Sequence, residues 1–230
     1  TISGGAGNDL ITIGGGVSTT VVNGAFLAAN EGNDTIVFNT GGAVRSIISS
    51  YVGLGQGNDS VIFGSGTTLT TTEVFAGKNK DTVELNGVGG ASSTINGGQG
   101  ADLIDLNSAT FTAVKVGAGK GADSIAFGTA ANGITGSVAG GGLNDTISIT
   151  QLTNGSALTI FGDGNGVTTV GTGAGGAKDG ADVIGNTASL IDRATIYGGG
   201  GKDTIKFLSQ AVNGLVVGGN GLDSIWLGGS

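Results

Sequence analysis

The sequence predicts an all-β chain wound as a parallel β-solenoid of about ten coils. An aspartate recurs ten times in one local frame, and each is followed two residues later by Ile or Val. Most of the spacings fall at roughly 20–25 residues, the length of one coil in a solenoid. Glycine-rich turns precede most of these aspartates, in a chain with 51 glycines and no proline. One domain spanning residues 1–230 is expected, because a solenoid core lengthens coil by coil instead of thickening.

The stretch from Leu54 to Val74 shows the plan of one coil. Gly55-Gln56-Gly57-Asn58-Asp59 is a tight turn, since glycine accepts the left-handed backbone that other residues resist. Ser60-Val61-Ile62-Phe63 alternates, with Val61 and Phe63 on one face, which marks a half-buried strand. Gly64-Ser65-Gly66 turns the chain again, and Leu69 to Val74 is expected to form a second strand leading to the next glycine turn.

The other coils copy this plan. The aspartates are Asp9, Asp34, Asp59, Asp81, Asp102, Asp123, Asp145, Asp182, Asp203 and Asp223. Two residues on stand Ile11, Ile36, Val61, Val83, Ile104, Ile125, Ile147, Ile184, Ile205 and Ile225. Four residues on, every entry is apolar except Asn186; the series includes Phe38, Phe63, Leu85, Leu106, Phe127 and Phe207. Seven residues before come Leu27, Val52, Val74, Ile95, Val116, Val138, Ile196 and Val216. These three columns are the expected core. Stacked at ~4.8 Å, ten coils make a rod roughly 50 Å long. The 37-residue gap between Asp145 and Asp182 breaks the rhythm, and an inserted loop is expected at about 162–178. It contains Asp163, and Asp179 follows it; either these take further cation, or the stretch is a flexible glycine-rich excursion.

Composition narrows the chemistry. There is no Cys and no His, so disulfides are absent and zinc, copper or iron centres are disfavoured. Formal charge is −8, and ten of the 17 acidic residues belong to the ladder. That excludes the basic stripe nucleic acid needs. No apolar run reaches the ~18–20 residues of a membrane span. The chain lacks Met even at position 1, and it reads as a processed product or an internal segment.

A carboxylate column at coil spacing repels itself unless cations sit within it. Calcium takes six to eight oxygens, mixing carboxylates with backbone carbonyls. The expected ligand set is the ten aspartates with the carbonyls of Gly5, Gly7, Gly55, Gly57, Gly98, Gly100, Gly119, Gly121, Gly219 and Gly221. Asn30 and Lys178 replace the glycine four residues before Asp34 and Asp182, and Asn79 and Leu143 the one two residues before Asp81 and Asp145. Carbonyl geometry is least secure there.

These turns resemble the Gly-Gly-x-Gly-x-Asp-x-U-x nonapeptide of repeats-in-toxin (RTX) proteins, in which U is a large apolar residue. Gly4 to Thr12, Gly97 to Asp105, Gly198 to Lys206 and Gly218 to Trp226 match closely. Leu54 to Ile62, Ala76 to Glu84 and Ala118 to Ala126 match more loosely. The resemblance implies a right-handed parallel β-roll that folds on calcium after type I secretion. One departure stands out, because only one half-coil carries the motif. The other turn reads Asn86 to Gly90 or Gly128 to Gly133, so multiple calcium ions are expected in one row along one edge.

The resemblance extends to RTX surface-layer and cell-surface filament proteins of bacteria, including cyanobacterial ones. An extracellular, self-associating structural protein is therefore expected, with contact to cell-surface polysaccharide through regions outside this chain. A calcium-rigidified spacer or secretion module of a large adhesin or exoprotein is the alternative. Ice binding, as in certain adhesins with a threonine in each calcium turn, is disfavoured. The equivalent position reads Ala6, Glu31, Gln56, Lys78, Gln99, Lys120, Gly142, Asp179, Gly200 and Asn220. No enzyme is expected: Glu84 and Asp105 fall at matching outward positions, but Arg45, Lys115 and Arg193 are scattered. Val37, Ile62, Trp226, Phe26 and Tyr51 are expected outward apolar residues suited to lateral contact, and Phe75, Phe161 and Tyr197 either join them or are buried at the turn corner.

Overall fold

The computed structural model describes residues 1–14, 20–38, 45–107, 109–128, 133–150, 158–164, 180–186, 191–192, 194–208, 211–212 and 214–228. Two ten-stranded parallel sheets make a β-solenoid. The entry sheet, leading into the glycine turns, runs from Ile2–Ala6 through Tyr51–Gln56 to Leu215–Gly221. The exit sheet, leaving the aspartates, runs from Leu10–Ile13 through Ser60–Phe63 to Ser224–Leu227.

Each strand pairs with its counterpart one coil away, in the register of the aspartate frame. Leu10 stands opposite Thr35, Thr35 opposite Ser60, and Ser60 opposite Thr82. The long interval does not disturb this, since Thr146 still pairs with Val183 and Ile147 with Ile184. Of the expected insertion, Gly162 and Asp163 belong to the strand Leu158–Asp163, where Asp163 pairs with Gly141. Residues 165–179, with Lys178 and Asp179, lie outside the described residues.

Two local expectations need correction. The segment expected as one strand from Leu69 to Val74 is a corner between two. Thr67–Thr70 joins a five-stranded third sheet with Thr20–Asn23, Arg45–Ile48, Gly89–Ala91 and Thr110–Thr112, and Glu73–Lys78 joins the entry sheet. Thr71 bends the chain at φ +49°, as do Ser49 (+47°), Ser92 (+53°) and Ala113 (+56°) in other coils. Buried hydroxyls hold the corner. Ser50 Oγ accepts from Ala25 N at 3.1 Å, Ser93 Oγ accepts from Thr72 N at 3.2 Å, and Thr72 Oγ1 donates to the Ile47 carbonyl at 2.9 Å. The glycine turn is also shorter than expected. Pairing continues through Gly55 with Gly77 and Gln56 with Lys78, because both glycines bend alike, at φ +110° and +118°.

The three core columns fill the interior. Ile36, Val61, Ile104, Ile125, Phe38, Phe63, Phe127, Leu27, Val52 and Val116 are all closed to solvent. Phe38 and Phe63 stack from coil to coil, with ring centroids 4.8 Å apart. In the last coil Ile225 and Leu227 are half exposed, since among the described residues Ser224–Leu227 pairs with Thr204–Phe207 alone. Outside, Phe26 stacks on Tyr51 at 5.0 Å and Phe161 on Tyr197 at 5.4 Å. The Lys206 ammonium lies 5.5 Å from the exposed Trp226 ring. The outward aromatics thus form separate groups, not one band.

Candidate metal centre

The backbone N–H of each aspartate points at the carboxylate of the aspartate one coil later. Asp9 N donates to Asp34 Oδ1 at 2.8 Å, Asp34 N to Asp59 Oδ1 at 2.7 Å, and Asp59 N to Asp81 Oδ1 at 2.8 Å. The chain of contacts continues through Asp102, Asp123, Asp145, Asp182 and Asp203 to Asp223, with every distance between 2.7 and 3.1 Å. All ten predicted aspartates therefore stand in one unbroken ladder on one edge. Asp34 through Asp203 are at most 3% exposed.

One carboxylate oxygen per rung is thus occupied. The second is not: Oδ2 of Asp9, Asp34, Asp59, Asp81, Asp102, Asp123 and Asp145 is closed to solvent and has no hydrogen-bond partner. Burying an unpartnered anion is costly, so such a group either takes a proton or holds a cation. The carboxyl groups show this strain. Burial pushes Asp81 up to about 7, with Asp102 and Asp59 adding to it. Burial raises Asp102 to about 6. Asp145 reaches about 8 through burial and the charges of Asp182, Asp123 and Asp163. Asp59 and Asp123 are also raised, by burial first.

The orphaned oxygens face backbone. A β-carbon at Gly4 would lie 2.6 Å from Asp9 Oδ2 and 2.9 Å from the Ala29 carbonyl oxygen. At Gly140 it would lie 2.5 Å from Asp145 Oδ2 and 2.6 Å from the Gly162 carbonyl oxygen. At Gly4 and Gly140, as at Gly97 and Gly198, the cradle is thus bounded by a carboxylate oxygen and a carbonyl of the next coil. The column five residues before the aspartates lines it: Gly4, Ala29, Leu54, Ala76, Gly97, Ala118, Gly140, Gly198 and Gly218. Among the described residues, no three acidic side chains converge on one point. A cation here would take one or two carboxylates and otherwise carbonyl oxygen, a donor set that suits calcium and fits no transition metal well.

The predicted glycines frame this edge. Gly55, Gly98 and Gly119, four residues before their aspartates, take φ between +107° and +117°. Gly57, Gly100 and Gly121, two residues before, take φ between +141° and +154°. In the first and last coils, Gly5, Gly7, Gly219 and Gly221 lie between +104° and +133°. The departures from glycine keep the same hand, with Asn30 at +87°, Asn79 at +74° and Leu143 at +80°. Asparagine tolerates this conformation, whereas leucine is strained by about 1–2 kcal/mol. Replacing Leu143 with glycine relieves that strain but frees the unfolded chain by ~0.5–1 kcal/mol. The expected net gain is about 0.5–1 kcal/mol, or roughly 1–4 °C in Tm. A thermal melt of L143G that is unchanged or lower would show the turn carries no such strain.

Sequence reasoning missed a second ladder beside the first. Asn8 Oδ1 accepts from Asn33 N, Asn33 Oδ1 from Asn58 N, Asn58 Oδ1 from Lys80 N, and Asn144 Oδ1 from Ala181 N. The repeated Gly-Asn-Asp triplet was its signal. Asp163 spans the base of the insertion. Its Oδ1 accepts from Gly180 N at 3.2 Å and its Oδ2 from Gly200 N at 2.7 Å. Glu84 and Asp105 do pair in register, and each carboxylate accepts from an asparagine, Asn86 and Asn107 respectively. Burial, then the Glu84 charge, raises Asp105.

No protein-family model matches the chain, and neither a curated protein nor a solved structure does.

Proposed function

We propose that the chain is an extracellular structural protein, a calcium-dependent β-solenoid that assembles into a surface layer or filament. The observation that carries this reading is the unbroken aspartate ladder with its orphaned carboxylate oxygens. Such a column has little use for chemistry on a substrate, because its oxygens face inward. Its use is to make the rod rigid wherever calcium is abundant, as it is outside cells. Binding then supplies folding free energy directly, since the unfolded chain has no preformed site.

Assembly draws support from the surface. The stacked pairs Phe26–Tyr51 and Phe161–Tyr197 and the exposed Trp226 offer apolar footholds along the solenoid. The alternative reading is a calcium-rigidified repeat section of a larger adhesin or exoprotein. Light scattering and negative-stain microscopy with calcium and with a chelator separate the two. Sheets or fibres that form only with calcium support assembly, and a monomer at all calcium levels overturns it.

A further inference from the structure

The column lining the cradles holds one residue unlike the rest. Glycine or alanine occupies it in every other described coil, and Leu54 occupies it in the third. Leu54 is completely buried and packs in the apolar core. Its place in the strand Tyr51–Gln56 is the one from which a β-carbon at Gly4, Gly140 or Gly218 would run into the aspartate Oδ2. Asp59, the aspartate of the same coil, is 3% exposed and its Oδ2 has no hydrogen-bond partner.

We propose that Leu54 plugs the cradle beside Asp59 and interrupts the cation row at the third coil. The inference rests on reading the aspartate edge as a calcium row, and it narrows that reading, because one position in the row is closed. Calcium needs six to eight oxygens at ~2.3–2.6 Å. A side chain of four carbons in that space displaces the waters and blocks the approach to the Ala76 carbonyl on the next coil. The β-carbons of Ala29, Ala76 and Ala118 stand at the same place in their strands, and only Leu54 carries three further carbons. The row therefore divides into a short block before coil three and a longer one after it.

The test counts ions. Calcium titration calorimetry and equilibrium dialysis on the full chain give the number bound by the parent, by L54G and by the reciprocal variant G97L. Strand circular dichroism at saturating calcium confirms that each is folded. L54G is expected to bind one more calcium per chain than the parent, and G97L one fewer. Should L54G fail to fold, L54A and G97L carry the same comparison. An unchanged count in folded L54G, or in folded G97L, overturns the plug while leaving the calcium row intact. A parent chain that binds no calcium at all removes the row itself, and the plug with it.

Discussion

In excess chelator at neutral pH the chain is expected to lose its strand circular dichroism and its cooperative melt, and added calcium should restore both. The magnitude follows from mass action. A site held at a hundred times its dissociation constant adds about 2.7 kcal/mol, so five such sites add about 13 kcal/mol. That equals the whole stability of an ordinary domain, about 5–15 kcal/mol. Acid should partly replace the metal. The Asp81, Asp102 and Asp145 carboxyls are raised in the folded chain to about 7, 6 and 8. The folded state therefore binds more protons than the unfolded one above the ordinary carboxyl range. Stability of the metal-free chain is full below about pH 4 and falls as pH rises through about 6 to 8. A chelated sample that keeps the same melting temperature from acid to alkaline pH, and the same one with calcium, would refute this account of the edge.

The substitution Gly121→Val should divide the rod, whereas Gly7→Val should do little more than fray its first coil. Both glycines have positive φ, +145° and +104°, so each variant bears backbone strain of about 1–3 kcal/mol. Only Gly121 adds a collision. A β-carbon there overlaps the Gly100 carbonyl and comes within 3.2 Å of Asp123 Oδ1, whereas nothing lies within 4 Å at Gly7. G121V is therefore expected to cost about 4–5 kcal/mol or more, beyond the ordinary range of point substitutions. Since solenoid coils contact only their neighbours, the damage should localise, giving two melting steps and new protease cleavage near position 121. Equal losses in G7V and G121V would mean that backbone conformation alone decides, and the close stacking of turns would lose its significance.

The ladder was legible in the sequence because a side chain that must meet its equivalent in the next coil tolerates no shift in frame. Asp102 and Asp123 accordingly make the same contact, each Oδ1 accepting from the N–H of the aspartate one coil earlier, at 2.8 and 2.7 Å. The core columns were legible for a similar reason, since the buried Val61 and Phe63 alternate with the half-buried Ser60 and Ile62. The third sheet was not. Its corner depends on Thr71 in a left-handed conformation, which threonine does not advertise, and Thr67 to Thr72 reads as one continuous strand former. The hydroxyls of Ser50, Thr72 and Ser93, nine residues before their aspartates, were the only trace. The cradles were equally hidden, because the small residues lining them look like ordinary turn glycines and alanines until Oδ2 is seen facing them.

The Asp and Asn side chains reach in opposite directions, aspartate toward the lower-numbered coil and asparagine toward the higher. The aspartate contact repeats at every junction from Asp9 to Asp223, whereas among the described residues an asparagine side chain joins it only from Asn8, Asn33, Asn58 and Asn144. Excising the 21 residues from Asp81 to Ala101 would bring Asp59 N to Asp102 Oδ1 with its geometry preserved. Removing any fraction of that length would leave donors facing the wrong acceptors. Reach is thus a quantised, heritable variable in this architecture: whole-unit duplication or loss alters it in increments of ~4.8 Å without a new interface having to be invented.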